Sequence, residues 1–274
     1  MHDFDRHTAV RRVASGCYAA EFDPTCVVGG AVNGGYLLAT VGRAAADALS
    51  ETGWMPPAPI SVSAHFMSVT TPGPATIHTT PVVGATAGPT TVYARLCQGD
   101  RTRLMALATY GELSKDDGPT LLAASPPELP DRADCINASW APPEVRDLAP
   151  MIDHFELLFD PECVTWIAGR PSGRGQIQGW FRWADGHEPD PIALLMVVDA
   201  LPPVTYDLGL EGWAPTTQLT VHVRALPAAG WLRVRHRTRH VAAGRFEEDC
   251  EVWDSAGRMV AQSRQLASLP RERR

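Results

Sequence analysis

Along residues 189–226 the chain switches from an apolar period of three to four residues to strict alternation. Ile192, Leu195, Met196 and Asp199 fall at i, i+3, i+4 and i+7, one face of a helix over 190–201. Three of the four are apolar. The fourth is a carboxylate, which on a core-facing stripe is costly unless it is hydrogen-bonded or neutral. Pro202 and Pro203 stop the helix. A loop leads to Thr216, Thr217 and the alternating Leu219, Val221 and Val223, which read as a strand. A buried acid therefore closes a helix and hydroxyls open the strand that follows; from this stretch alone, a backbone cap or a wet helix end accounts for Asp199 as well.

The same two periods recur along the chain. Residues 1–15 are polar and lead into a first strand at 16–22. The glycine-rich VVGGAVNGG precedes an alanine-rich helix, YLLATVGRAAADALS, with Leu37, Leu38 and Val41 inward. Asn33 is placed to cap that helix, and Gly34 and Gly35 leave its first N–H groups sterically open. Strand-like runs follow at 60–68, 74–84, 90–98 and 102–113, separated by glycine-containing turns. Residues 115–150 carry seven prolines and little periodicity, a connector. Beyond it come 153–159, strand-like runs at 163–168 and 175–183, the helix, and strands at 216–226, 230–241, 245–253 and 258–268.

The halves thus repeat one plan, which divides the chain into 1–114, 115–150 and 151–274. SVSAHFMSVTTPG matches LTVHVRALPAAG, with His65 opposite His222, and TRLMALAT resembles GRMVAQSR. A repeat on the order of 155 residues is too long for a solenoid and fits a duplicated α+β unit, one helix wrapped by a curved antiparallel sheet.

Composition narrows the function. A net charge of −7 argues against nucleic acid as the main partner. The six cysteines (17, 26, 97, 135, 163 and 250) contain no CxxC pair, so neither a zinc nor a redox motif is indicated. No signal peptide or membrane span is visible, and the expected location is the cytoplasm. Neither a GxSxG elbow nor a catalytic-cysteine signature is present, so a hydrolytic nucleophile would be water.

The motifs NGGYLLATVGRAA, VVDALPP, APTTQLTVHVRA and GRMVAQSRQLA, in that order, are similar to the acyl-CoA thioesterase II (TesB-like) and related thioesterase families. The resemblance covers roughly 16–113 and 153–269 and implies a tandem (double) hotdog, each half a curved antiparallel sheet around a long helix. It implies hydrolysis of acyl-CoA with no metal and no cofactor. It also implies that Asp199, Thr216 and Gln265 orient the attacking water. Strand alternation gives Thr217 a competing claim, because it shares parity with Leu219, Val221 and Val223; a bulge at the strand start would re-aim either. Gly34 and Gly35, with Asn33, are the candidate oxyanion and substrate-binding residues, at a helix N-terminus that favours negative charge. A non-catalytic acyl-CoA-binding module is the rival reading. A hotdog hydratase would call for a His five residues beyond the Asp, where Val204 stands. Further pairing of such chains into a homo-oligomer is left open.

Other residues carry weaker expectations. His65 and His222 read as structural, and His236 and His240 share a strand face without a third metal ligand. Arg233, Arg235, Arg237 and Arg239 form an outer face or a contact for CoA phosphates. Trp180, Trp183 and Trp213 read as core or pocket wall. GRGQIQG at 173–179 imitates a dinucleotide loop but leads into a strand.

Overall fold

The computed structural model describes residues 1–51, 53, 58–82, 88–113, 121 and 123–270. A short helix, α1 (Asp3–His7), precedes β1 (Arg11–Ala14), β2 (Cys17–Phe22) and a small separate hairpin of β3 (Val27–Val28) and β4 (Ala31–Val32). Helix α2 (Gly34–Ser50) comes next, then β5 (Ala58–Phe66), β6 (Gly73–Val82), β7 (Thr90–Gln98) and β8 (Arg101–Gly111). The connector holds β9 (Ile136–Asn137) and α3 (Pro143–Leu148). The second half contains β10 (Phe155–Phe159), β11 (Gln176–Trp183), α4 (Pro191–Val197), β12 (Thr216–Val223), β13 (Leu232–Arg237), β14 (Val241–Ala242), β15 (Arg245–Trp253) and β16 (Met259–Ser268).

Fourteen of these strands form one sheet in the order β1-β2-β6-β7-β8-β5-β12-β16-β15-β13-β11-β10-β9, with β14 attached to β15. Alternation decides which side each residue faces: Val62, Ala64, Leu219 and Val221 are buried, while His65 and His222 are exposed on the opposite face. Both helices lie on the buried side. Helix α2 buries Leu37, Leu38, Val41 and a run of small residues, Ala39, Ala44, Ala45 and Ala48, which let it sit close to the strands. The glycines at the α2 start allow an equally close approach to α4. A Cβ on Gly35 would stand 2.6 Å from the Met196 carbonyl oxygen.

The halves join where β5 pairs with β12, antiparallel, in the register Gln218↔His65, Thr220↔Ser63 and His222↔Ser61. Ser63 and Thr220, 157 positions apart, share a hydrogen bond of 2.9 Å between their hydroxyls. Each residue on one side of this pair meets the counterpart of its partner on the other, which is the signature of a local two-fold axis. The same offset relates the helix caps. The Asn33 side chain accepts from Tyr36 N–H, and that of Asp190 accepts from Ala193 N–H. The repeat seen in the sequence is therefore a repeat in space.

Several expectations are corrected. The second helix is not long: α4 spans seven residues, against seventeen in α2. Its end tightens to i→i+3 hydrogen bonds, Asp199 N–H to Met196 and Ala200 N–H to Val197, just ahead of the two prolines. Asp199 accordingly sits in the turn after the helix rather than on its last periodic position. The run at 163–168 is not a strand but two 3₁₀ turns, Pro161–Cys163 and Thr165–Ala168. Asp160 caps the first and Gly169, at φ +69°, closes the second, so end signals override a β-branched apolar run. Residues 1–15 contain α1 and β1, with Phe4 buried against Trp183. The connector docks on the sheet through Trp180 Nε1–H to the Pro130 carbonyl. The expected end of the 74–84 strand and the start of the connector fall partly outside the described residues.

Helix propensity alone makes Gly35→Ala stabilising by about 1 kcal/mol. The approach to Met196 reverses the sign: the substitution is expected to destabilise the protein by about 1–3 kcal/mol, since only a backbone shift makes room. Urea denaturation of the two proteins measures this, and a raised midpoint would show that α2 and α4 separate freely.

Candidate active site

Helix α2 has four N–H groups without partners inside the helix, and the chain accounts for three of them. Asn33 N–H, at the cap, donates to the Cys26 carbonyl and Tyr36 N–H to the Asn33 side chain. Gly35 N–H donates to Asp199 Oδ2 at 3.0 Å, across the two halves. Asn33 Nδ2 donates to the same oxygen at 3.0 Å and to the Asp199 carbonyl at 2.9 Å. Among the described residues, the Gly34 N–H is left over. Gly34 has to be a glycine here, because a Cβ would lie 2.9 Å from Asp199 Oδ2 and about as close to the Phe66 ring.

Asp199 retains some accessible surface, yet its carboxylate is closely surrounded by protein. Burial pushes its pKa up to about 6, and the Glu248 carboxylate adds to the rise. His236 and the donors Gly35 and Asn33 pull the other way without cancelling it. With Oδ2 occupied by two donors, Oδ1 is, among the described residues, the oxygen left for further chemistry.

A second cluster lies on β12, β15 and β16. Thr216 Oγ1–H donates to Gln265 Oε1 at 2.6 Å. Gln265 Nε2 donates to Glu248 Oε1, and Glu248 Oε2 accepts from Val204 N–H at 2.8 Å. His236 Nδ1 stands 3.2 Å from Glu248 Oε1, out of line for a hydrogen bond. Burial alone favours the neutral ring, but Cys250 and Glu248 outweigh it and hold His236 well above its usual value. Glu248 and His236 are 2% and 1% exposed. Residues 199–204 tie the clusters together, running from Asp199 to the Val204 N–H that Glu248 holds.

The choice between Thr216 and Thr217 turns on a bulge. The β12–β16 register passes from Thr216↔Ala267 to Gln218↔Leu266, leaving Thr217 without an opposite number. The extra residue inverts the alternation at the strand start, so Thr216 turns inward to Gln265 and Thr217 is exposed. The sequence reading missed Glu248. It shares strand parity with Phe246, Cys250 and Val252, and an acid on an apolar strand face was the available signal.

Other candidates sit apart. His236 is buried but His240 is exposed, so they do not converge. Arg235 and Arg237 pair with Glu251, and Arg233 lies over the Trp180 ring, which makes a paired outer face. Trp183 is buried and Trp213 is half exposed.

Ionising a carboxyl whose folded pKa is raised costs stability. The contribution is fully present below its ordinary pKa near 3.8 and is lost as pH rises through about 6. Asp199→Asn is therefore expected to stabilise the fold by about 1–2 kcal/mol at pH 7.5 and not at pH 4. Thermal melts at both pH values check it; an equal shift at each would mean that the carboxylate carries no ionisation penalty.

Comparison with known proteins agrees with this architecture. A family model for the acyl-CoA thioesterase N-terminal domain matches residues 23–111, and one for the C-terminal domain matches 126–269. An uncharacterized protein of Mycobacterium tuberculosis is 33% identical over 272 residues, covering 92% of this chain and 91% of its own. A crystal structure from Thermobifida fusca assigned as a thioesterase II superposes with a TM-score of 0.86 at 34% identity, covering 99% of this chain and 98% of that one. A hotdog-fold protein of unknown function from Alicyclobacillus acidocaldarius gives 0.82 at 20% identity over the whole of both chains. An acyl-CoA thioesterase II from Mycobacterium marinum gives 0.68 at 14% identity over 97% of each, a likeness of fold. Among the described residues no helix is long and apolar enough to cross a membrane. With a family domain matched in each half and a relative aligned over nearly its whole length, the chain belongs to the acyl-CoA thioesterase family, with a TesB-like hotdog fold.

Proposed function

We propose that the protein hydrolyses acyl-CoA thioesters by direct attack of water, at one site built between two hotdog halves, 1–114 and 151–274. The observation that carries this reading is the Asp199 carboxylate, fastened to the start of α2 by Gly35 N–H and Asn33 and poised near neutral pH. A general base works best with a pKa close to the working pH.

The steps follow from the free groups. In this reading the attacking water lies between Asp199 Oδ1 and Thr216 Oγ1, whose own proton is committed to Gln265. It therefore donates one hydrogen to each and turns a lone pair toward the thioester carbonyl. Attack forms the C–O bond while Asp199 takes the proton. The negative charge on the carbonyl oxygen meets the Gly34 N–H at the α2 N-terminus. Collapse breaks the C–S bond, the thiolate of CoA leaves, and the proton that Asp199 took from water passes to the thiolate. The products are a carboxylic acid and CoA, and the steps call on no cofactor. Because Gly35 and Asn33 are already bonded to Asp199, they serve as its holders rather than as oxyanion donors.

Thiol release from acyl-CoAs of two to eighteen carbons, with branched and aromatic members, tests the proposal. Wild type is expected to turn over part of the panel, and Asp199→Asn to lose about 10²–10⁴-fold. Activity within threefold of wild type in that variant would remove Asp199 from the chemistry. Acyl-CoA binding without turnover by wild type would favour the non-catalytic module. The base acts when deprotonated, so kcat/KM should rise with pH through about 6 and level off above it. A flat profile from pH 5 to 8 would exclude this base.

A further inference from the structure

We infer that Glu248, backed by His236, is a positioning residue that fixes the donor-acceptor sense of the Gln265–Thr216 pair, and through it the orientation of the attacking water. The inference rests on the reading of the site given above and adds to it a buried carboxylate that touches neither substrate nor water.

The argument is one of hydrogen-bond bookkeeping. An ionised carboxylate only accepts. Glu248 Oε2 accepts from Val204 N–H, a backbone donor that cannot turn round, and Oε1 accepts from Gln265. Gln265 must therefore present its amide nitrogen to Glu248 and its oxygen to Thr216. Thr216 must in turn give its proton to that oxygen, which it does at 2.6 Å. The hydroxyl keeps only lone pairs for the site. A water caught between two acceptors, Thr216 and Asp199, has both hydrogens engaged and its lone pairs outward. The chain of bonds from Val204 to Thr216 thus transmits a direction, set at its buried end by the one group that cannot donate.

The surroundings are suited to this task. Gln265 and Glu248 are 6% and 2% exposed, so solvent does not compete for their partners. His236 Nδ1 lies 3.2 Å from Glu248 Oε1, and that carboxylate, with Cys250, holds the ring's pKa well above its usual value. Glu248 and Gln265 are also directly opposite in the β15–β16 register, which fixes their separation by main-chain pairing.

An amide at position 248 cannot reproduce the pattern. In Glu248→Gln, the single oxygen must serve Val204 N–H, so the NH₂ faces Gln265. Gln265 then turns over, its nitrogen meets Thr216, and the hydroxyl proton of Thr216 is released toward the water. The variant is isosteric and keeps every residue that would contact substrate.

The test is a double-mutant cycle on kcat and KM with an acyl-CoA that wild type hydrolyses. Glu248→Gln is expected to lower kcat about 10–100-fold with KM within threefold. Thr216→Val should cost a similar factor in the wild-type background and less than threefold more in the Glu248→Gln background, because the hydroxyl there is already misdirected. Multiplying losses, or a Glu248→Gln enzyme with wild-type kcat, would overturn the inference while Asp199→Asn and Thr216→Val still impair catalysis. If those two variants were themselves fully active, the site reading would fail instead. Should Glu248→Gln not fold, the wild-type protein still decides. One side-chain amide proton of Gln265, assigned by its loss in Gln265→Met, should exchange slowly with solvent, being donated to a buried carboxylate. Rapid exchange of both protons would overturn the inference.

Discussion

The contact on which the molecule depends is the meeting of the α2 N-terminus with the turn after α4. It needs two glycines, because any Cβ at Gly34 or Gly35 would run into Asp199 or Met196. It needs a side-chain acceptor at 199, which Asp199 Oδ2 supplies, because the N–H of Gly35 and the amide of Asn33 are buried donors. The acid in turn is uncomfortable there, and its raised pKa measures that discomfort. Packing, capping and the reactivity of the carboxylate are three views of one local arrangement. It can form only because the β5–β12 pairing draws the halves into a single sheet.

Much of the fold was legible in the sequence because alternation and turn glycines are local signals. The strands of both halves, the Asn33 cap and the internal repeat were read from such patterns. The run at 163–168 was misread because a short apolar, β-branched stretch has no period of its own; Asp160 and Gly169 decided it. The second helix was overextended because Asp199 continued the apolar stripe in sequence, whereas the last turn tightens before it. α1 was missed because five residues carry too few repeats to register.

The candidate site was legible in a different way. Asp199 stood out as a carboxylate on an apolar face, a physical anomaly visible without coordinates. Gln265 and Thr216 drew their assignment from a family resemblance, and local alternation alone pointed to Thr217. Only the cross-strand register shows the bulge that reverses that parity. Glu248 fell outside the reading because its partners are forty-four residues away at Val204 and seventeen at Gln265, distances that no local pattern bridges. Its anomaly, an acid between Phe246 and Cys250 on an inward face, was nevertheless of the same kind as that of Asp199.

The axis through Ser63 and Thr220 relates two helix starts that do unlike work. Behind Asn33 come two glycines, one N–H of which holds Asp199; behind Asp190 comes Pro191, which has no N–H to offer. Nine residues in from the caps, Asp199 is matched by Gly42, where the Leu195 and Ile192 side chains close the space and the Tyr110 hydroxyl takes the carbonyl. By strand register Gln265 is matched by Ala108. The architecture has two places for a ligand and equips one. On the proposed reading of the site, the saturating stoichiometry is one acyl group per chain. The counterpart place is filled by the Leu195 and Ile192 side chains, so the acid of one half is set against apolar packing at the matching position of the other.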